Sequence, residues 1–124
     1  MTDAGNPPER RTNMELIVDK QNQISIVAAS GKLDAAGAPT LEARCKALIQ
    51  EGANRLLLDF AKVEYVSSAG LRSLLVLAKA VKSAGGGLAL CGLVPAVRDV
   101  MTISGFDNIL PLAADRAAAL DLLK

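Results

Sequence analysis

Apolar and polar positions in this chain change their period several times, and each change marks an element. Residues 1–13, MTDAGNPPERRTN, mix Pro, Gly and charge without a period and read as a flexible N-terminal tail ahead of a domain spanning 14–124. Met14 to Val18 and Gln23 to Ala29 hold strand-like alternation, with turn residues at Asp19 to Asn22 between them. The pair predicts a hairpin at a sheet edge, one face buried. Leu41, Cys45, Leu48 and Ile49 recur at helical spacing, so a helix is expected from about Pro39 to Glu51, ended by Gly52. Arg55 to Phe60, RLLLDF, is an unbroken apolar run suited to a strand covered on both faces.

A helical period returns from Ala69 to about Ser83, with Leu71, Leu74, Leu75, Ala78 and Val81 inward and Arg72, Lys79 and Lys82 outward. AGGG, Ala84 to Gly87, is a loop, and Leu88 to Cys91 a buried strand. Pro95 to Ser104 forms a short helix with Val97, Val100 and Met101 inward and Gly105 as its stop. Phe106 to Leu112 gives a turn and a last short strand, and Ala113 to Leu123 a closing helix. Strand, helix, strand order predicts parallel pairing and right-handed crossovers, hence an α/β domain.

Composition narrows the chemistry. At 124 residues, 51% hydrophobic and 22% charged, the chain has material for one globular core. A net charge of +1, spread without a basic block, argues against nucleic acid or an anionic membrane as partner. Phe60, Tyr65 and Phe106 are the whole aromatic complement, too few for a stacking platform. No apolar run reaches the roughly 20 residues of a membrane helix, and the polar N-terminus carries no signal peptide, so a cytoplasmic protein is expected. The absence of His removes Ser-His-Asp and Cys-His catalysis. Cys45 and Cys91 lack CxxC spacing and read as buried small hydrophobes, with no metal. Neither GxxxxGK[ST] nor GxGxxG occurs, and AGGG precedes a strand, the wrong context for a phosphate cradle. An enzyme or nucleotide binder is therefore disfavoured, and no cofactor is expected.

The stretch VEYVSSAGLRSLLVLAKAV, Val63 to Val81, organises the rest: strand end, two serines, helix start. A Ser there either caps the helix or presents a hydroxyl where free N–H groups and the helix dipole favour a phosphate. Asp59, near the end of a buried strand, either receives a hydrogen bond close to the Ser67-Ser68 turn or has already emerged into solvent.

DF-x-x-V-x-x-V-S-S-A-G-L-R-x-L-L, from Asp59 through Leu75, resembles the phosphorylation segment of STAS-domain proteins, the anti-sigma factor antagonists. GKLDAAGAP, Gly31 to Pro39, resembles the G-x-L-D loop after the second strand of that family. LCGLVPAVRDVMTISGFDNILPL resembles its C-terminal half, so the likeness runs from about Leu16 to Leu123. It implies a STAS fold, a small mixed sheet of about four or five strands with about four helices. It further implies a switch and not an enzyme. The unmodified form binds an anti-sigma factor that is a serine kinase (GHKL type) and so releases a sigma factor; phosphorylation ends the binding and a serine phosphatase (PP2C type) reverses it. Laid on this chain, the phosphorylatable position is Ser68, preferred to Ser67 because Ser68 fits the N-cap register. Ser67 stands where many members carry Asp, which weakens kinase recognition or offers a second site. Asp34, Ser67, Ala69, Gly70 and Arg72 would form the partner surface, with Ala69 and Gly70 small enough to admit a partner backbone. The alternative within the family is a partner subunit that is never phosphorylated, for example of an ABC transporter ATPase.

Overall fold

The computed structural model describes residues 14–124; the N-terminal tail expected over 1–13 lies outside the described residues. Strands β1 (Met14–Gln21) and β2 (Ile24–Leu33) form the expected antiparallel hairpin. Its two-residue turn, Asn22-Gln23, holds positive φ at both positions (53° and 66°), the backbone twist that tight hairpins require. Helix α1 (Ala38–Gln50) leads to β3 (Arg55–Val66), and α2 (Ser68–Ser83) to β4 (Gly87–Cys91). Helix α3 (Pro95–Ser104), a single 3-10 turn (Phe106–Asn108), β5 (Leu112–Ala113) and α4 (Arg116–Leu123) complete the chain.

The five strands lie in chain order, β1-β2-β3-β4-β5, with every pair after the hairpin parallel. Strand alternation divides the apolar residues between two cores. Leu56, Leu58 and Phe60 of β3 join Leu41 and Cys45 of α1, Leu74 and Leu77 of α2, and Val97 and Met101 of α3. Leu57 points the other way, to Ile24, Ile26, Ala89 and Cys91 under Ala119 and Leu123 of α4. The unbroken run in RLLLDF thus has the expected cause: this strand is covered on both faces.

The boundaries of β2, β3 and α4 differ from the sequence expectation. β2 runs past Ala29 through Ser30, Gly31 and Lys32 to Leu33, residues expected in a loop, because they pair with Lys62 to Val66 of β3. β3 continues six residues past Phe60 because its pairing with β2 resumes after register shifts at Ala28/Ser30 and Gly31/Lys32. α4 starts at Arg116, not Ala113, because Ala113 is hydrogen-bonded into β5 and Asp115 caps the helix by accepting the Ala118 N–H at 2.9 Å. Leu75 and Val100 are half-buried, at the margins of their helices' inner faces.

Both cysteines are buried, Cys45 at 0% and Cys91 at 1% exposure. Burial pushes the Cys45 thiol up to about 12 and, with help from the Asp59 charge, the Cys91 thiol up to about 11. Neither thiol is therefore expected to react with a maleimide at neutral pH until the protein is unfolded in denaturant. The stability that these protonated thiols contribute is complete below the ordinary value of 9.0 and is lost as pH rises through the raised values. Mass spectrometry before and after unfolding checks the first point, and urea titrations from neutral to alkaline pH check the second.

Candidate functional site

Two sequence segments meet at one end of the sheet. β2 ends at Leu33, paired with Val66 at the end of β3. The Leu33 carbonyl oxygen accepts the Ser67 backbone N–H at 3.0 Å and the Ser67 hydroxyl at 3.4 Å. The end of β2, with the Asp34 turn that follows it, and the VSSAG turn are thereby fastened together.

Ser67 is extended (φ −94°, ψ 177°), and its Oγ accepts the Gly70 N–H at 3.3 Å, which makes it the N-cap of α2. This corrects the expectation that Ser68 holds the cap register. The chain turns helical one residue later than Ser67, so Ser68 is the first helical residue. Ser68 is exposed, and among the described residues its hydroxyl makes no hydrogen bond. No acidic side chain occupies the first turn of α2, leaving the positive end of the helix dipole uncompensated from within the helix.

Asp34 shapes the neighbouring loop. Its Oδ1 accepts the N–H groups of Ala36 at 3.1 Å and Gly37 at 2.9 Å, the turn chemistry at which Asp excels. Ala35 and Ala36 are exposed beside it, while Asp34 is half-buried. Arg72 is exposed one helical turn beyond Ser68, and Ala69 is half-buried.

Gly70 does not serve as expected. It is buried, and a Cβ there would strike the Leu33 carbonyl oxygen and lie 2.9 Å from Leu33 Cγ and 3.1 Å from Val66 Cγ1. Its small size admits the chain's own β2 end, so it belongs to the foundation of the site and not to its surface.

Asp59 also needs correction. It neither reaches the serine turn nor stands free in solvent: Oδ2 pairs with Arg116 Nε at 2.7 Å and Oδ1 accepts the Ala61 N–H at 3.0 Å. The reason is length and parity. β3 runs on to Val66, roughly 20 Å further, and Asp59 lies in the row of Ala28 and Cys91, on the α4 side of the sheet.

The pattern of apolar residues gave no sign of the link beneath the site between α1 and α2. Ser73, 5% exposed, donates to Glu42 at 2.9 Å, and Lys46 pairs with the same carboxylate at 2.9 Å. The hydrogen bond from Lys46, then that from Ser73, holds the Glu42 carboxyl below its usual value, so this contribution to stability is lost as pH falls through the lowered value. The one legible signal was a small polar residue on the inner face of an otherwise apolar helix. Among the described residues no group of three metal-ligating side chains gathers, and no helix is long and apolar enough to cross a membrane.

Residues 15–119 match the family model described as STAS domain. BtrV of Bordetella bronchiseptica, whose name proposes it as an anti-sigma factor antagonist, is 42% identical over 106 residues, covering 86% of this chain and 91% of that protein. The anti-sigma F factor antagonist of Paenibacillus polymyxa is 25% identical over 113 residues, covering 90% and 97%. The crystal structure of an anti-sigma factor antagonist from Mycobacterium paratuberculosis matches with TM-score 0.81 at 26% identity, over 89% of this chain and 93% of that one. The chain belongs to the STAS-domain family of anti-sigma factor antagonists. Among the described residues, its five-stranded mixed sheet with four helices is the STAS fold.

The two serines are separable by stability. Ser67→Ala is expected to cost about 1 kcal/mol through the lost cap, whereas Ser68→Ala stays within about 0.5 kcal/mol of wild type. Gly70→Ala, crowding backbone, costs about 1–3 kcal/mol. Urea unfolding of the three variants checks this; equal effects at Ser67 and Ser68 would contradict the division between them.

Proposed function

We propose that the protein is a cytoplasmic, phosphorylation-switched anti-sigma factor antagonist, a binding module and not an enzyme. Unmodified, it binds an anti-sigma factor that is also a GHKL-type serine kinase, and a sigma factor is released. Phosphate on Ser68 ends that binding, and a PP2C-type phosphatase restores it.

The observation that carries this reading is the different employment of two adjacent serines. Ser67 has its hydroxyl committed to Leu33 and Gly70, whereas Ser68 is exposed and uncommitted. A kinase needs a hydroxyl that is free to enter its active site, and Ser68 satisfies that need without melting the cap.

Phosphorylation adds about 1.5 to 2 negative charges at a helix N-terminus, where the dipole tolerates them. Arg72, four residues on, is the neighbour on the same helical face. The fold therefore survives modification, and the change is felt by the partner, which meets a hydrated dianion where a small neutral hydroxyl stood. Asp34, Ala69 and Arg72 complete the docking surface, with Ser67 and Gly70 supporting it from behind.

The test uses wild type, Ser68→Ala and Ser68→Glu as baits in lysate of the source cell, with intact mass and peptide mapping of recovered wild type. A kinase-like ATPase retained by wild type and Ala, lost with Glu, and a single phosphate on Ser68 is the expected result. Retention of one partner by all three baits without any phosphate would instead make this face a constitutive docking module. Phosphate on Ser67 would overturn the assignment of roles to the serines.

A further inference from the structure

The far end of β3 carries a second polar feature that the switch does not use. A cleft of about 770 Å³ opens there between the β1–β2 hairpin and the C-terminal end of α1. That volume lies within the roughly 300–1,000 Å³ typical of small-molecule sites. β3 separates it from Ser67 by 12 residues of strand, roughly 35 Å.

Ser25 lines this cleft although it is only 5% exposed, and its hydroxyl has no hydrogen-bond partner among the described residues. A buried hydroxyl without a partner is costly and calls for an occupant of the cleft. Lys20 pairs with Ser25 across the hairpin, so the two side chains share a face of the sheet. Arg55, at the start of β3, borders the cleft, but it shares the parity of Leu57 and Asp59, so its side chain belongs to the α4 face of the sheet.

The opposite sign is equally present. Glu51 lines the same cleft, and α1 ends there with no basic residue in its last turn, leaving its negative dipole end uncompensated from within the helix; Asp19, opposite Ile26, belongs to the other face and accepts the Lys20 N–H at 2.7 Å. Among the described residues neither Lys20 nor Glu51 is in an ion pair. One unpaired charge of each sign beside a buried hydroxyl suits a ligand that itself carries both signs; an anion alone would meet repulsion from Glu51 and a cation alone from Lys20.

We propose that this cleft binds a small zwitterion, an amino acid or short peptide with free α-ammonium and α-carboxylate groups. The carboxylate takes the Ser25 hydroxyl as donor with Lys20 beside it, and the ammonium faces Glu51 and the carbonyl end of α1. This site is independent of the Ser68 switch, and either assignment stands if the other fails.

The experiment is an amide chemical-shift titration of the full chain with dialanine, N-acetyl-dialanine and dialanine amide, on wild type, Ser25→Ala and Lys20→Met. Saturable shifts with dialanine, clustered at residues 19–25 and 51–55, are expected. Either capped peptide, and either variant, should bind about tenfold more weakly, the scale of one charge-assisted hydrogen bond. Absence of saturable shifts with dialanine would overturn the proposal, as would equal binding of a capped peptide. Wild-type affinity in Ser25→Ala would also overturn it, since the hydroxyl would then serve only an ordered water. Lys20 is exposed, so its variant keeps the test valid should Ser25→Ala fail to fold.

Discussion

The carbonyl of Leu33 is the contact on which the serine-turn end of this domain depends. It closes the last rung between β2 and β3 and holds Ser67 by both backbone and side chain. Through Gly70, which lacks the Cβ that would collide with it, it fixes how closely the first turn of α2 approaches the sheet. A carbonyl has two lone pairs, and here both the amide and the hydroxyl of one residue are directed at it. The exposure of Ser68 follows, because pinning Ser67 at the cap leaves the next residue to begin the helix in solvent.

Below that contact α2 has two unlike faces. Leu74, Leu77 and Val81 are locked into the larger core, and Ser73 is tied to Glu42 and Lys46 on α1. Arg72 and Lys79 face water. The helix is therefore held rigidly by one side while the other stays available, and a charge added at its start meets a scaffold that does not need to rearrange. The ion pair of Asp59 with Arg116 performs a comparable service on the opposite face, fastening α4 over the smaller core.

Most of the architecture was legible because period and burial agree. Every helix and strand that the alternation of apolar residues predicts is present, and the two-sided burial of Leu56 to Leu58 follows from an unbroken apolar run. What escaped detection depends on contacts distant in sequence. The continuity of β3 from Phe60 to the strand end at Val63 was not legible, since Ala61 and Lys62 are exposed, and pairing with β2 carries the strand through them. Asp59 finds its partner 57 residues away. Ser67 and Ser68 are equally good caps by residue type, and the backbone turn set by Leu33 decides between them. Gly70 illustrates a deeper ambiguity: a small residue looks the same whether it admits another protein or its own chain.

Strand order that follows chain order has a consequence for how the protein comes into being. Each strand emerging from the ribosome finds the neighbour it pairs with already made, so the sheet can be laid down in one direction without waiting for distant segments. The serine turn is complete once α2 has formed. The apolar surface of Ile24, Ile26, Leu57 and Ala89, by contrast, is roofed among the described residues by the eight-residue α4. During synthesis the serine turn thus precedes the seal on the opposite face, and α4 marks the moment at which that apolar surface stops being sticky.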